Sequence, residues 1–242
     1  VKKISVIVFL MAMLCTLHLS AQTAASATTP AALRPANPTW DYGLLGQSGF
    51  GVTEGRSGFG FFTAGAHLGR VITSPHGNGL FRGQFEYAVE VFPFWQSYTP
   101  VFQRSSCVQA GASVNCSALY NVGGTFTGAS ITPILLRWNF SSGKKWQPWA
   151  QGAGGVVWTN HKYPAFPVAG AQQNIQNDGP NADASVWNFT PQGGVGAHYF
   201  FRPNRSVDFG ANAIHISSAS LGDRNPGVNA SIQFTVGYSW WK

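Results

Sequence analysis

Charge is scarce in this sequence. Only 10% of its 242 residues are Asp, Glu, Lys or Arg, where a soluble domain usually carries about 25%. Beyond the first two dozen positions no apolar run approaches the roughly 20 residues that a membrane-crossing helix needs. These two absences exclude a helical membrane protein and argue against an ordinary soluble domain. Cysteine is nearly missing, with three residues, and no Cys or His spacing fits a zinc centre. The formal excess of +7 is scattered along the chain, so no nucleic-acid partner is expected. What abounds is glycine, 29 residues, and aromatic side chains, 14% of the total. Few charges, no helical span and many Gly, Phe, Trp and Tyr predict an all-β fold: a transmembrane β-barrel whose strands alternate apolar and polar residues.

The chain divides into three parts. Residues 1–21 open with two lysines and an apolar run from Ile4 to Leu19, followed by small residues before Gln22. That is the layout of a secretory signal peptide, with cleavage expected after Ala21. Residues 22–39, rich in Ala, Thr and Pro, are expected to form a flexible leader without a core. Residues 40–242 are expected to form the barrel. Within it, Cys107 and Cys116 stand nine positions apart, and in an exported protein such a pair most simply closes a local disulfide.

Period-two patterning is clearest in "LFRGQFEYAVEVF". Phe81, Phe85, Tyr87, Val89 and Val91 fall on one face, and Arg82, Gln84, Glu86 and Glu90 on the other. Seven further segments follow the same rule, near residues 42–52, 58–72, 127–140, 146–159, 185–201, 205–217 and 230–241. In 127–140, Ile134, Leu136, Trp138 and Phe140 oppose Pro133, Arg137 and Asn139. The count predicts eight antiparallel strands. With a periplasmic N-terminus, the inner turns are short ("SPHGNG", "SSGKK" and "RPN"). Two outer connections, about residues 95–126 and 160–184, are long. Short inner turns and long outer loops are characteristic of outer-membrane barrels.

The seventh segment contains "AIHISSAS". In an extended strand, residues i and i+2 share a face. Val207, Phe209, Ala211 and Ala213 therefore share one with His215 and Ser217, while Asp208, Asn212, Ile214 and Ile216 share the other. The apolar set is expected to face lipid, which projects His215 and Ser217 outward at the extracellular end of an ascending strand. Polar side chains at the membrane interface cost only about 0–1 kcal/mol, so interface residues without further role are one reading of the pair. A base beside a nucleophile is the other.

The longer string "HISSASLGDRNPGVNASIQF" resembles the signature of the PagL-type lipid A 3-O-deacylases, eight-stranded barrels of the bacterial outer membrane. In that family His-x-Ser is followed by Asn, and a connection with Asn-x-Gly leads to an acidic residue in the last strand. His215, Ser217, Asn225 and Gly227 match, and the resemblance in motif covers about residues 209–234. It implies a Ser217 nucleophile and a His215 general base. These would hydrolyse the 3-O-linked acyl ester of lipid A in the outer leaflet, with no metal or cofactor and in a barrel that can pair as a homodimer. Two positions depart from the pattern. The acid that orients the histidine falls on Asn229, which can accept a ring N–H but carries no charge; Asp223, in the connection, is the other available acid. The oxyanion-supporting Asn falls on Ser218, whose hydroxyl supplies at most one donor. These departures keep a second reading open: a non-catalytic barrel of the same family acting as a structural, adhesive or binding protein. A small pore fits less well, because eight-stranded interiors are filled by side chains.

Glu86 and Glu90, about 13 Å apart along a strand, are expected to make lumen salt bridges with Arg82 and Arg137. His67, His76, His161 and His198 are read as local hydrogen-bonding residues.

Overall fold

The computed structural model describes residues 39–53, 56–105, 107–141, 145–163, 185–219, 221 and 230–242. The expected signal peptide, the leader up to residue 38, Asp223, Asn225, Gly227 and Asn229 lie outside the described residues. The strands are β1 (Trp40–Gly51), β2 (Gly60–Val71), β3 (Gly83–Arg104), β4 (Cys107–Ala110), β5 (Ser113–Cys116), β6 (Tyr120–Phe140), β7 (Trp146–Tyr163), β8 (Ser185–Phe189), β9 (Gln192–Arg202), β10 (Arg205–His215) and β11 (Ala230–Trp241).

All pairings are antiparallel, β1 pairs with β11, and β6 with β7 closes the ring. β8 and β9 both pair with β7 and act as one stave interrupted at Thr190 and Pro191. The result is the expected eight-stranded barrel. Its alternation follows the sequence: Leu44, Leu68, Leu136, Phe209 and Phe234 are exposed outside, while Gln47, His67, Arg137, Asn212 and Gln233 are buried inside.

Both ends of the outer wall carry aromatic side chains, as the two interfaces of a membrane barrel require. At the inner end Tyr42 stacks on Trp240 at 5.9 Å, and Tyr238 packs edge-on against the same ring at 4.6 Å. Toward the outer end Trp158 and Trp187 are register partners, both exposed, and Phe62 packs edge-on against Phe94 at 5.9 Å.

The lumen is filled in two layers. Its outer half holds an apolar plug of Phe59, Phe61, Trp95, Phe126, Val157, Tyr163, Ile214 and Ile216. Tyr163 is central, with Trp95 at 5.5 Å, Phe126 at 5.1 Å and its hydroxyl 3.1 Å from Ser97 Oγ. The inner half is polar. Arg137 Cζ lies 4.7 Å over the Trp149 ring, and a Cβ at Gly196 would come within 2.3 Å of that ring. Glycine in this stave therefore makes room for an indole.

The structure departs from the sequence reading at several points. Most of the expected outer loop at 95–126 is strand: β3 runs on to Arg104, β6 starts at Tyr120, and β4 and β5 form a hairpin between them. Register shifts between Phe92 and Trp95 and between Thr99 and Phe102 span Pro93 and Pro100, and each bulge breaks the period-two pattern. Another shift, between Ile131 and Ile134, leaves Pro133 exposed rather than on the face of Arg137. Arg82 is exposed beside the inner turn, so Glu86 and Glu90 pair with Arg137 instead. Cys107 and Cys116 are register partners at the base of the hairpin, and Cys116 is disulfide-bonded.

Candidate functional site

The β10 ladder ends at His215, whose N–H donates to the Pro191 carbonyl at 2.9 Å. One more rung lies beyond it. Ser217 N–H donates to Phe189 O at 3.0 Å and Phe189 N–H to Ser217 O at 2.7 Å. Pro191 interrupts the neighbouring stave, so Ser217 is held by an isolated bridge rather than a continuous ladder. Two backbone attachments, at residues 215 and 217, thus fix the main chain on either side of Ile216.

The faces follow from exposure. Ile214 and Ile216 are 7% and 2% exposed and sit in the lumen plug, whereas Phe209 is 43% exposed. His215 and Ser217 share the parity of Phe209 and Ala213 and are half-buried. Beside them on the wall stand Phe189, Trp187 and Trp158, all exposed. The pair therefore lies among the outer aromatic side chains and at the outer end of the strand.

After Ser217 the chain turns sharply. Ala219 N–H donates to Ser217 Oγ at 3.1 Å, and Leu221 N–H donates to Ser218 O at 2.9 Å. Ala219 has φ +48°, a left-handed conformation uncommon outside glycine and often found at functional sites. A backbone donor is thus already directed at the serine oxygen. Ser218 is 1% exposed and falls on the parity of Ile214 and Ile216, away from the wall that carries His215 and Ser217. On β11, Ser231 and Gln233 are buried in the lumen.

The remaining histidines serve other ends. His76 Nδ1 lies 3.0 Å from Ser74 O at the inner turn. His198 Nδ1 lies 2.6 Å from Asp208 Oδ1, and Ser206 and Ser239 donate to the same carboxylate. The composition is that of a triad, but both hydroxyls bond the acid instead of facing the ring, and the group is a polar seal. His67 stands between Glu86 and Glu90. The two acids, far apart along their strand, lean onto opposite nitrogens of one ring, and sequence spacing alone does not show this. Asp41 joins them; the signal for it was the alternation of "WDY", which turns Asp41 inward between Trp40 and Tyr42.

A closed barrel with an apolar outer band, aromatic rims and a filled interior defines a membrane-embedded β-barrel with a histidine and a serine on its outer wall. The family model "Lipid A 3-O-deacylase (PagL)" matches residues 81–239, and the chain belongs to that family. It is an integral protein of the bacterial outer membrane. The fold is similar to the crystal structure of the outer membrane enzyme PagL, with 15% identity, 83% of this chain and 98% of that one covered, and a TM-score of 0.43. Neisserial surface protein A is similar at 11% identity, with 83% and 96% covered and a TM-score of 0.46. OprG from Pseudomonas aeruginosa is similar at 10% identity, with 88% and 99% covered and a TM-score of 0.41. A search of curated protein sequences finds no match.

Proposed function

We propose that the chain is an esterase that removes the 3-O-linked acyl chain of lipid A in the outer leaflet. Ser217 is the nucleophile and His215 the general base. His215 takes the hydroxyl proton as Ser217 Oγ attacks the ester carbonyl, and the collapse of the tetrahedral intermediate expels the sugar alcohol, which the imidazolium protonates. Water, deprotonated by the same imidazole, then cleaves the acyl-enzyme and releases a 3-hydroxy fatty acid. The observation that carries this reading is the shared outward parity of His215 and Ser217 at the outer end of β10. Phe189, Trp187 and Trp158 beside them offer an apolar surface to the departing chain. Ser218 is buried on the parity of Ile214 and Ile216, turned from the wall that carries the pair, so this reading draws no oxyanion donor from its side chain.

The test is direct: purified protein in detergent, incubated with lipid A, releases free 3-hydroxy fatty acid. Within this reading Ser218→Ala changes the rate by less than about tenfold. An oxyanion donor lost from the site would cost about 100- to 1000-fold, so a drop of that size returns the role to the Ser218 hydroxyl. A second reading, a family barrel without catalysis, draws on the burial of Ser218 at the position where the family carries an Asn. No fatty acid release under any detergent condition in which the protein is folded favours it.

A further inference from the structure

We propose that Asp41, His67 and Glu86 bind a divalent transition-metal cation in the inner half of the lumen. The three come from adjacent strands β1, β2 and β3, and one potential ligand atom from each lies within 4.8 Å of the others. All three side chains are buried.

The register makes the seat. Asp41 stands opposite Gly69, and Gly69 opposite Ala88, so the wall between the three side chains is bare. A Cβ built on Gly69 would lie 1.9 Å from Asp41 Oδ1, 2.6 Å from Glu86 Oε1 and 2.9 Å from His67 Nε2. Only glycine at this position therefore lets the three donors approach one another.

The donors also face one another in a way that demands positive charge between them. Glu90 Oε1 lies 3.3 Å from His67 Nδ1, placed to accept an N–H there; with the ring proton on Nδ1, Nε2 offers its lone pair to a metal. Carboxylate–histidine pairs of this kind orient imidazole ligands in metal sites. Nε2 then lies 3.0 Å from Asp41 Oδ2 and 3.2 Å from Glu86 Oε1. In a tetrahedral complex with bonds of 2.0–2.1 Å, ligand atoms are about 3.3 Å apart. Asp41 supplies the independent sign: it is fully buried, and neither of its oxygens has a hydrogen-bond donor among the described residues, with His67 Nε2 3.0 Å from Oδ2.

Charge agrees. Asp41, Glu86 and Glu90 face Arg137, which reaches Glu86 at 3.4 Å and Glu90 at 3.9 Å. With His67 neutral, as a metal-bound imidazole is, that leaves two negative charges in a buried space, and one divalent cation cancels both. One imidazole and two carboxylates suit zinc, manganese or iron(II) rather than calcium or magnesium.

The experiment is calorimetric titration of zinc chloride into tag-free, chelator-treated full-length protein folded in detergent. One saturable site per chain is expected. Asp41→Asn, which keeps the side-chain shape, and Gly69→Ala, whose methyl pushes the three donors apart, should each weaken binding at least tenfold. Far-UV circular dichroism checks that each variant is folded. Zinc should raise the thermal midpoint of the wild type, and chelator should return it. Absence of saturable binding, or binding undiminished in whichever variants fold, overturns the proposal and leaves the cluster a proton-bridged ion network. The readout is independent of esterase activity, which belongs to the opposite end of the barrel.

Discussion

Ser217→Ala should lower release of 3-hydroxy fatty acid from lipid A by about 10³- to 10⁶-fold under the proposed mechanism, the scale on which deleting the serine of a Ser–His pair acts. His215→Ala has an effect of the same order, and the double variant is no worse than the more damaged single one, because the two groups act as a unit. The structural reason is local. Residues 215 and 217 are pinned by backbone bonds to Pro191 and Phe189, so neither change should shift the other side chain. Both backbone attachments remain in the variants, and their unfolding curves should lie close to that of the wild type. A variant that loses activity and stability together would point to a structural role instead.

Arg137→Ala destabilises the barrel by about 3–5 kcal/mol, the usual cost of removing one partner from a buried ion pair. Arg137 touches Glu86 and Glu90, donates from Nε to Gln151 Oε1 at 3.0 Å, and covers the Trp149 ring. Alanine strands the acids around His67 and removes the guanidinium from the indole. Urea unfolding of protein inserted into lipid vesicles measures the change. A shift below about 1 kcal/mol would mean that water enters the lumen and screens the cluster, contrary to the packed interior described above.

Strand faces were legible wherever a strand meets lipid on one side and the lumen on the other without interruption. β3 from Gly83 to Ala88 and the whole of β11 show this. So was the placement of Ile214 and Ile216 opposite His215 and Ser217, because the register of β10 is unbroken from Ser206 to Ile214. Legibility failed where the backbone changes register. Pro93 and Pro100 lie where β3 slips against β6, and the slips disguised a long strand and its hairpin as a loop. Pro191 split a stave for the same reason, and in doing so isolated the rung that holds Ser217.

The lumen cluster was illegible for a different reason. Asp41, His67 and Glu86 are brought together by the register of β1, β2 and β3 and by the glycine at position 69. No spacing along the chain encodes that meeting. At Ser218 the period-two rule and the family pattern pull apart: the family signature puts an oxyanion donor there, whereas the turn closed by Ala219 leaves the side chain buried. The sequence could name the candidate nucleophile and base, but the backbone donor at Ala219 depends on a turn whose φ no residue type announced.

Mass spectrometry of lipid A from cells producing the wild type or Ser217→Ala at equal outer-membrane levels tests the central claim most directly. The account predicts lipid A lighter by one 3-hydroxyacyl chain with the wild type and unmodified lipid A with the variant. Identical lipid A in both, whether intact or shortened, would contradict it.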